Sequence, residues 1–185
     1  VSTGGCPSPS VLHEKDPVVT PIGHEHQVSP REVLAENRAR HLDELHAYWQ
    51  AGAFPINREA PMIANVFRDD EGHLCAVANM INRDGRTDLV DATAREDNSI
   101  RLADVHDGPL YDWVLTSGFT QEEIAMIQVP YMPAREIVLE DERARVAERL
   151  EAVEARLRDD TPQSLEIAMR RLDPEHAARL AIAAR

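Results

Sequence analysis

The sequence predicts a mainly α protein: a compact helical domain with room for one short β-hairpin, an extended N-terminal tail and long C-terminal helices. Two capping boxes, Ser29 with Glu32 and Thr120 with Glu123, indicate helix starts, because each pairs a hydroxyl N-cap with a glutamate three residues later. Apolar residues follow at steps of three and four, the spacing of one helix face. Residues 134–158 contain neither glycine nor proline, so a long uninterrupted helix is expected there.

Three segments are expected along the 185 residues. Residues 1–28 are dense in Pro, Gly, Ser and His and predict an extended tail, since each proline removes a backbone donor and favours extended geometry. Residues 29–132 predict the compact helical core domain, and residues 133–185 a C-terminal helical extension. A chain of this length is expected to form one core with appendages rather than two large domains.

In the core domain, the first helix is expected to start at Ser29 and to stop at Gly52, because glycine adopts the left-handed conformation that ends helices. A short strand is expected at 62–67, followed by a tight acidic turn at 69–72. Further helices are expected at 74–81, 87–94 and 109–115, and from Thr120 to near 130.

The C-terminal third predicts one long helix at 134–158 and two shorter ones. Its apolar seam has helical spacing and consists of Leu139, Val146, Leu150, Val153 and Leu157. The favoured interpretation is an intramolecular core contact, and the alternative is an exposed docking surface for a partner helix. Thr161 and Asp173 each precede a proline and are expected to be the N-caps of the two shorter helices.

The formal net charge of −13 and the single lysine, Lys15, exclude a nucleic-acid backbone and an anionic membrane surface as partners. Such a field attracts basic proteins, which makes basic soluble proteins candidate partners. The alternative is that the acidity serves solubility alone. No apolar stretch approaches the roughly 18–20 residues that span a bilayer, so no membrane span is predicted.

Cys6 and Cys75 are the only cysteines, so one disulfide is conceivable. In the chain-entropy model it would contribute on the order of 4 kcal/mol by closing a long loop. The alternative is a buried free Cys75 and an unpaired Cys6. Cys75 also lies where a helix is expected to begin, and the helix dipole there favours a thiolate. A catalytic cysteine would need a base such as His106, since His73 is too close in sequence.

His24 and His26 are the candidate metal ligands, because these two imidazoles, separated by Glu25, precede the first helix closely. His41 and His46 on that helix are five residues apart, which places them on different faces. The favoured interpretation is solvated polar histidines, so neither a metal nor any other cofactor is predicted. No catalytic residue is predicted either, since no phosphate loop, dinucleotide fingerprint, nucleophile elbow or haem attachment motif is present.

Residues of the central segment carry a family resemblance, namely Gly52, Ala53, Phe54, Pro55, Ile56, Asn57, Phe67 through Asp70, Gly72 to Ala78, Trp113, Ser117 to Thr120, Glu123, Ile127 and Gln128. Over about residues 30–132 the chain resembles a group of uncharacterised secreted bacterial proteins. The resemblance implies secretion and a shared compact core, and it implies no activity and no site. A periplasmic, membrane-peripheral location is therefore expected. A chain that begins at Val1 rather than Met fits either the removal of a signal peptide or a trimmed N-terminus.

Together these observations predict a non-catalytic, extracytoplasmic accessory or structural subunit. It would dock on a larger membrane-embedded complex through its tail and C-terminal helices, and a respiratory or photosynthetic electron-transfer assembly is a candidate. The alternative function is a metal-binding or Cys-dependent secreted enzyme.

Overall fold

The chain is mainly helical in a computed structural model, which describes Val1 and residues 28–183. This part of the chain contains eight α-helices, two short 3₁₀ turns and no strand, so the predicted mainly α fold is confirmed. The predicted tail at 1–28 lies outside the described residues except for Val1 and Val28.

The first helix, α1, spans Pro30–Ala51 and has the predicted ends. The Glu32 N–H donates to the Ser29 hydroxyl at 3.3 Å, and the Ser29 N–H donates to the Glu32 carboxylate at 2.7 Å. Gly52 ends the helix at a φ of 64°, which glycine adopts without a Cβ penalty. The helix contacts α2, α6, α7 and α8, so it is the central element of the fold.

Four short helices follow α1, close to the predicted positions: α2 at Ala76–Arg83, α3 at Thr87–Glu96, α4 at Gly108–Thr116 and α5 at Gln121–Ile127. The second predicted capping box is also formed, because the Thr120 N–H donates to the Glu123 carboxylate at 2.8 Å. Their apolar faces enclose a core that includes Phe67, Met80 and Ile124, none of which is exposed. Burying such a side chain contributes about 1.5–3 kcal/mol.

The strand predicted at 62–67 does not form, so this prediction is wrong. The backbone of the segment bonds to several different partners instead of to one neighbouring strand. Ala64 exchanges two hydrogen bonds with Tyr131, at 3.1 and 2.8 Å, whereas the Phe67 N–H donates to the Asn98 carbonyl at 2.8 Å. Only isolated bridges result among the described residues, so the possible hairpin is absent there as well.

The long C-terminal helix α6 spans Leu139–Asp159 and begins five residues later than predicted. Residues before it are tied to another segment, since the Ala134 N–H donates to the Asn57 carbonyl at 2.8 Å. Its apolar seam is buried from Val146 to Leu157 and joins the core cluster of the central segment. The intramolecular interpretation of the seam is therefore confirmed, while Leu139 itself remains exposed.

Two shorter helices complete the described chain, α7 at Thr161–Arg171 and α8 at Pro174–Ala183. Thr161 was expected to cap α7, but Asp160 is the N-cap, because the Thr161 hydroxyl donates to the Leu157 carbonyl at 3.0 Å instead. Asp173 caps α8 as predicted and accepts from the His176 N–H at 3.0 Å. The division of the chain at residue 133 stays a prediction.

Candidate functional site

Cys75 is the N-cap of α2, and its thiol accepts from the Ala78 N–H at 3.4 Å. The side chain is buried and forms no disulfide with another described residue, and burial raises the pKa of the thiol to about 11. Desolvation thus outweighs the helix-end effect that favours a thiolate. Cys6 lies outside the described residues, so the disulfide between the two cysteines stays a prediction.

We expect native Cys75 to react with a thiol-specific reagent at pH 7.5 at least about 100-fold more slowly than in denaturant, because the thiol is buried and protonated. Stopped-flow absorbance with an aromatic disulfide measures both rates. A Cys6→Ser variant restricts the signal to Cys75. Fast reaction of the folded variant would support the alternative of a cysteine-dependent enzyme.

His41 lies inside the core with both ring nitrogens facing oxygen acceptors. Nδ1 is 2.9 Å from the Ser117 carbonyl and Nε2 is 3.0 Å from the Asp84 carboxylate, so both bonds form only when both nitrogens carry protons. Burial alone raises the Asp84 pKa, but hydrogen bonds from His41 and Trp113 and the charge of Arg40 lower it to about 2. This cluster links α1, α2 and α4 and leaves no ring nitrogen for a metal or a substrate.

The other histidines of the described chain are not gathered into one site. His46 faces away from His41, as the five-residue step predicts, and is 3.1 Å from Glu154. His73 pairs with Asp69 at 3.0 Å, and His106 is exposed. No group of three or more His, Cys, Asp or Glu residues within 28–183 is placed to hold a metal. His24 and His26 lie outside the described residues, so their role stays a prediction.

His176 connects α8 to α4. Nδ1 lies 2.8 Å from Asp173 and Nε2 lies 3.1 Å from Asp112. Burial alone lowers the His176 pKa, but the hydrogen bonds and charges of the two aspartates outweigh it and raise the pKa. Arg179, 3.9 Å from Asp112, is the further charged group on this contact. When protonated, the ring donates to both aspartates and holds α8 against α4.

We expect the docking of α8 to weaken as pH rises above about 6.5, the ordinary pKa of a histidine, because the folded pKa of His176 is raised. A histidine whose folded pKa is raised stabilises the folded state below its unfolded pKa of roughly 6.5, and this stabilisation disappears as pH rises through the folded pKa. Hydrogen exchange of the α8 amides, corrected for intrinsic rates, measures the effect. His176→Gln is expected to abolish the pH dependence, and His106→Gln is the matched control. An unchanged pH dependence in His176→Gln would contradict this assignment.

Two polar residues of the central segment, Asn57 and Asp69, hold loops together. The Asn57 amide donates to the carbonyls of Met62 at 2.9 Å and Tyr131 at 3.1 Å. The buried Asp69 carboxylate accepts from the Ile56 N–H at 3.1 Å. Their hydrogen-bonding capacity is used within the protein, so in this structure they act as loop anchors.

Arg38 and Glu123 form a buried ion pair that was not predicted from the sequence. Two guanidinium nitrogens of Arg38 lie 2.8 and 2.9 Å from the Glu123 carboxylate, with side-chain exposures of 1% and 5%. The Ser164 hydroxyl donates to the same carboxylate at 2.7 Å. The guanidinium also stacks over the Phe119 ring at 5.0 Å. The pair joins α1, α5 and α7 and is closed to solvent.

A polar cleft of about 350 Å³ lies between residues 56–70 and 96–99. Its two arginines are already paired: Arg58 with Asp70 at 2.6 Å and Glu71 at 2.5 Å, and Arg68 with Asp91. The cleft therefore lacks an unpaired cation for an anionic ligand.

An apolar patch of four exposed residues is the clearest open surface: Met62, Ile63, Val138 and Leu139, with exposures of 68%, 49%, 61% and 39%. The two segments are adjacent, because the Arg135 side chain donates to the Pro61 carbonyl at 3.1 Å and Ala64 pairs with Tyr131. An apolar groove lined by Phe54, Ile137 and Leu139 adjoins the patch. Exposed apolar residues on neighbouring segments are candidates for an interaction site.

The comparisons with known proteins add no relative. No protein-family model, no curated protein and no solved structure matches this chain. None of the described helices combines the length and the apolar character needed to cross a membrane.

Proposed function

We propose that this protein is a non-catalytic accessory or structural subunit that docks on a larger membrane-embedded complex. It would work on the extracytoplasmic, periplasmic side, peripheral to the membrane. A respiratory or photosynthetic electron-transfer assembly is a candidate for the complex. The location follows from the predicted resemblance to secreted bacterial proteins, which itself stays a prediction.

The apolar patch is the observation that carries this proposal. Val138 and Leu139 stand at the start of the C-terminal helices, where the docking contact was predicted. These four side chains would form the apolar centre of a contact, while a stable interface as a whole buries about 1,000 Å² or more.

The burial of Cys75 weakens the cysteine-dependent enzyme alternative. The Cys75 thiol is buried with a raised pKa, and the rings of His41 and His176 are engaged on both nitrogens. Catalysis requires a reactive group that a substrate can reach. The net charge of −13 further favours basic soluble proteins as partners.

Native gel electrophoresis of mildly solubilised membranes tests the proposal. Wild-type protein is expected to migrate with a large complex, and Ile63→Asp/Val138→Asp is expected to migrate alone because each aspartate would be desolvated at the contact. Ala47→Asp/Gln50→Asp adds the same two charges to the exposed face of α1, so it is the matched control and should stay with the complex. Migration of the wild-type protein as a free monomer would overturn the proposal. Migration as a dimer would also overturn it, because the partner would then be a second copy of this chain.

A further inference from the structure

A groove of about 660 Å³ lies between α3, the loop that follows it and the start of α4. Its floor is apolar, with Leu89, Thr93 and Leu110 buried and Ile100 and Val105 partly exposed. The volume falls in the range of ligand pockets, which are about 300–1,000 Å³. The groove is separate from the apolar patch, since the two share no residue.

Four exposed carboxylates form the rim of this groove: Glu96, Asp97, Asp104 and Asp107. Of the described residues that line it, only His106 is able to carry a positive charge. Arg101 approaches Asp104 at 3.6 Å, but both side chains are largely exposed and such pairs are weak. The rim therefore presents an excess of negative charge above an apolar floor.

The helix ends beside the groove do not cancel this charge. The C-terminal end of α3, at Glu96, adds negative potential, and the N-terminal end of α4, at Gly108, adds positive potential of similar size. Asp107 is the N-cap of α4 but makes no side-chain capping bond, so its carboxylate is not consumed by the helix. The four rim carboxylates outnumber the nearby basic side chains, which are Arg95 at the end of α3, Arg101 and His106.

We propose that the groove binds a lysine- or arginine-bearing segment of a partner protein. Such side chains have apolar stems, which fit the floor formed by Leu89, Val105 and Leu110, and cationic ends, which reach the rim carboxylates. A small metal ion leaves the floor unused, and a nucleic acid is repelled by the rim. This inference rests on the proposed function in one respect, since it takes the protein to be a binding subunit. It adds the chemistry of one partner.

Fluorescence anisotropy tests the groove with a labelled hexapeptide of alternating leucine and lysine. At low ionic strength, Glu96→Gln/Asp107→Asn is expected to weaken binding at least about tenfold, because two rim charges are removed. Glu148→Gln/Glu151→Gln removes the same charge from the exposed face of α6 and is expected to change binding less than about twofold. Ala92→Arg places a cation in the groove and is expected to abolish binding, with circular dichroism as the check on folding.

Several outcomes would contradict the binding of a basic segment in this groove. Equal weakening by both charge variants would mean that the peptide senses only the total charge, and undiminished binding by Ala92→Arg would place the peptide elsewhere. Equal binding of a peptide with glutamate in place of lysine would also contradict the proposal. Loss of peptide binding with co-migration intact refutes only the groove, and loss of co-migration with peptide binding intact refutes only the docking function.

Discussion

Glu123→Ala is expected to lower the free energy of unfolding by about 3–5 kcal/mol, because it leaves the buried Arg38 guanidinium without its counter-ion. The Ser164 hydroxyl and the Thr120 N–H lose their acceptor in the same change. A loss of this size is a large part of the 5–15 kcal/mol that stabilises a typical domain. Urea titration followed by circular dichroism measures it.

Two further variants show whether burial is the cause. Glu122→Gln removes the neighbouring surface partner of Arg171 and is expected to cost about 0–1 kcal/mol. Arg38→Leu combined with Glu123→Leu is expected to recover part of the loss, since no unpaired charge then remains. If Glu123→Ala lowered the free energy of unfolding by less than about 1.5 kcal/mol, the ion pair could not be both buried and important for stability.

Gly118→Ala is expected to cost about 2–5 kcal/mol. Its φ of 85° disfavours any residue with a Cβ by about 1–2 kcal/mol. The added Cβ would also lie 2.3 Å from the Leu34 carbonyl and 2.8 Å from the Arg38 backbone, and overpacking of this kind costs about 1–3 kcal/mol. Thermal and urea denaturation measure the change.

Gly85→Ala is the matched control for Gly118→Ala. Gly85 has a similar φ of 77°, but nothing lies within 4 Å of its Cβ position, so only the backbone cost of about 1–2 kcal/mol is expected. Equal effects of the two substitutions would contradict a close approach of the 118 turn to α1.

The helices were largely predictable because their signals are local. Ser29 and Thr120 have their glutamates three residues on, and Gly52 follows the last apolar turn of α1, so each end is encoded within a few residues. The missing strand at 62–67 and the late start of α6 depend on contacts with distant segments. Such contacts have no periodic pattern in the sequence.

The buried polar network was only partly signalled by the sequence. Arg38 and His41 lie on the apolar stripe that contains Leu34, Leu42 and Leu45, and polar residues in such a stripe indicate a buried partner. The identity of those partners, Glu123 and Asp84 among them, follows only from how the helices pack. The apolar patch could not be predicted from the sequence either, because it is formed by segments about 75 residues apart.

Hydrogen exchange of the protein alone and within the complex isolated from native membranes tests the docking claim most directly. Slower exchange is expected at residues 62–64 and 137–139 in the complex, because burial of the apolar patch shields these amides from water. Exchange that is identical in the two states, or a protein that is recovered only as a monomer, would contradict it.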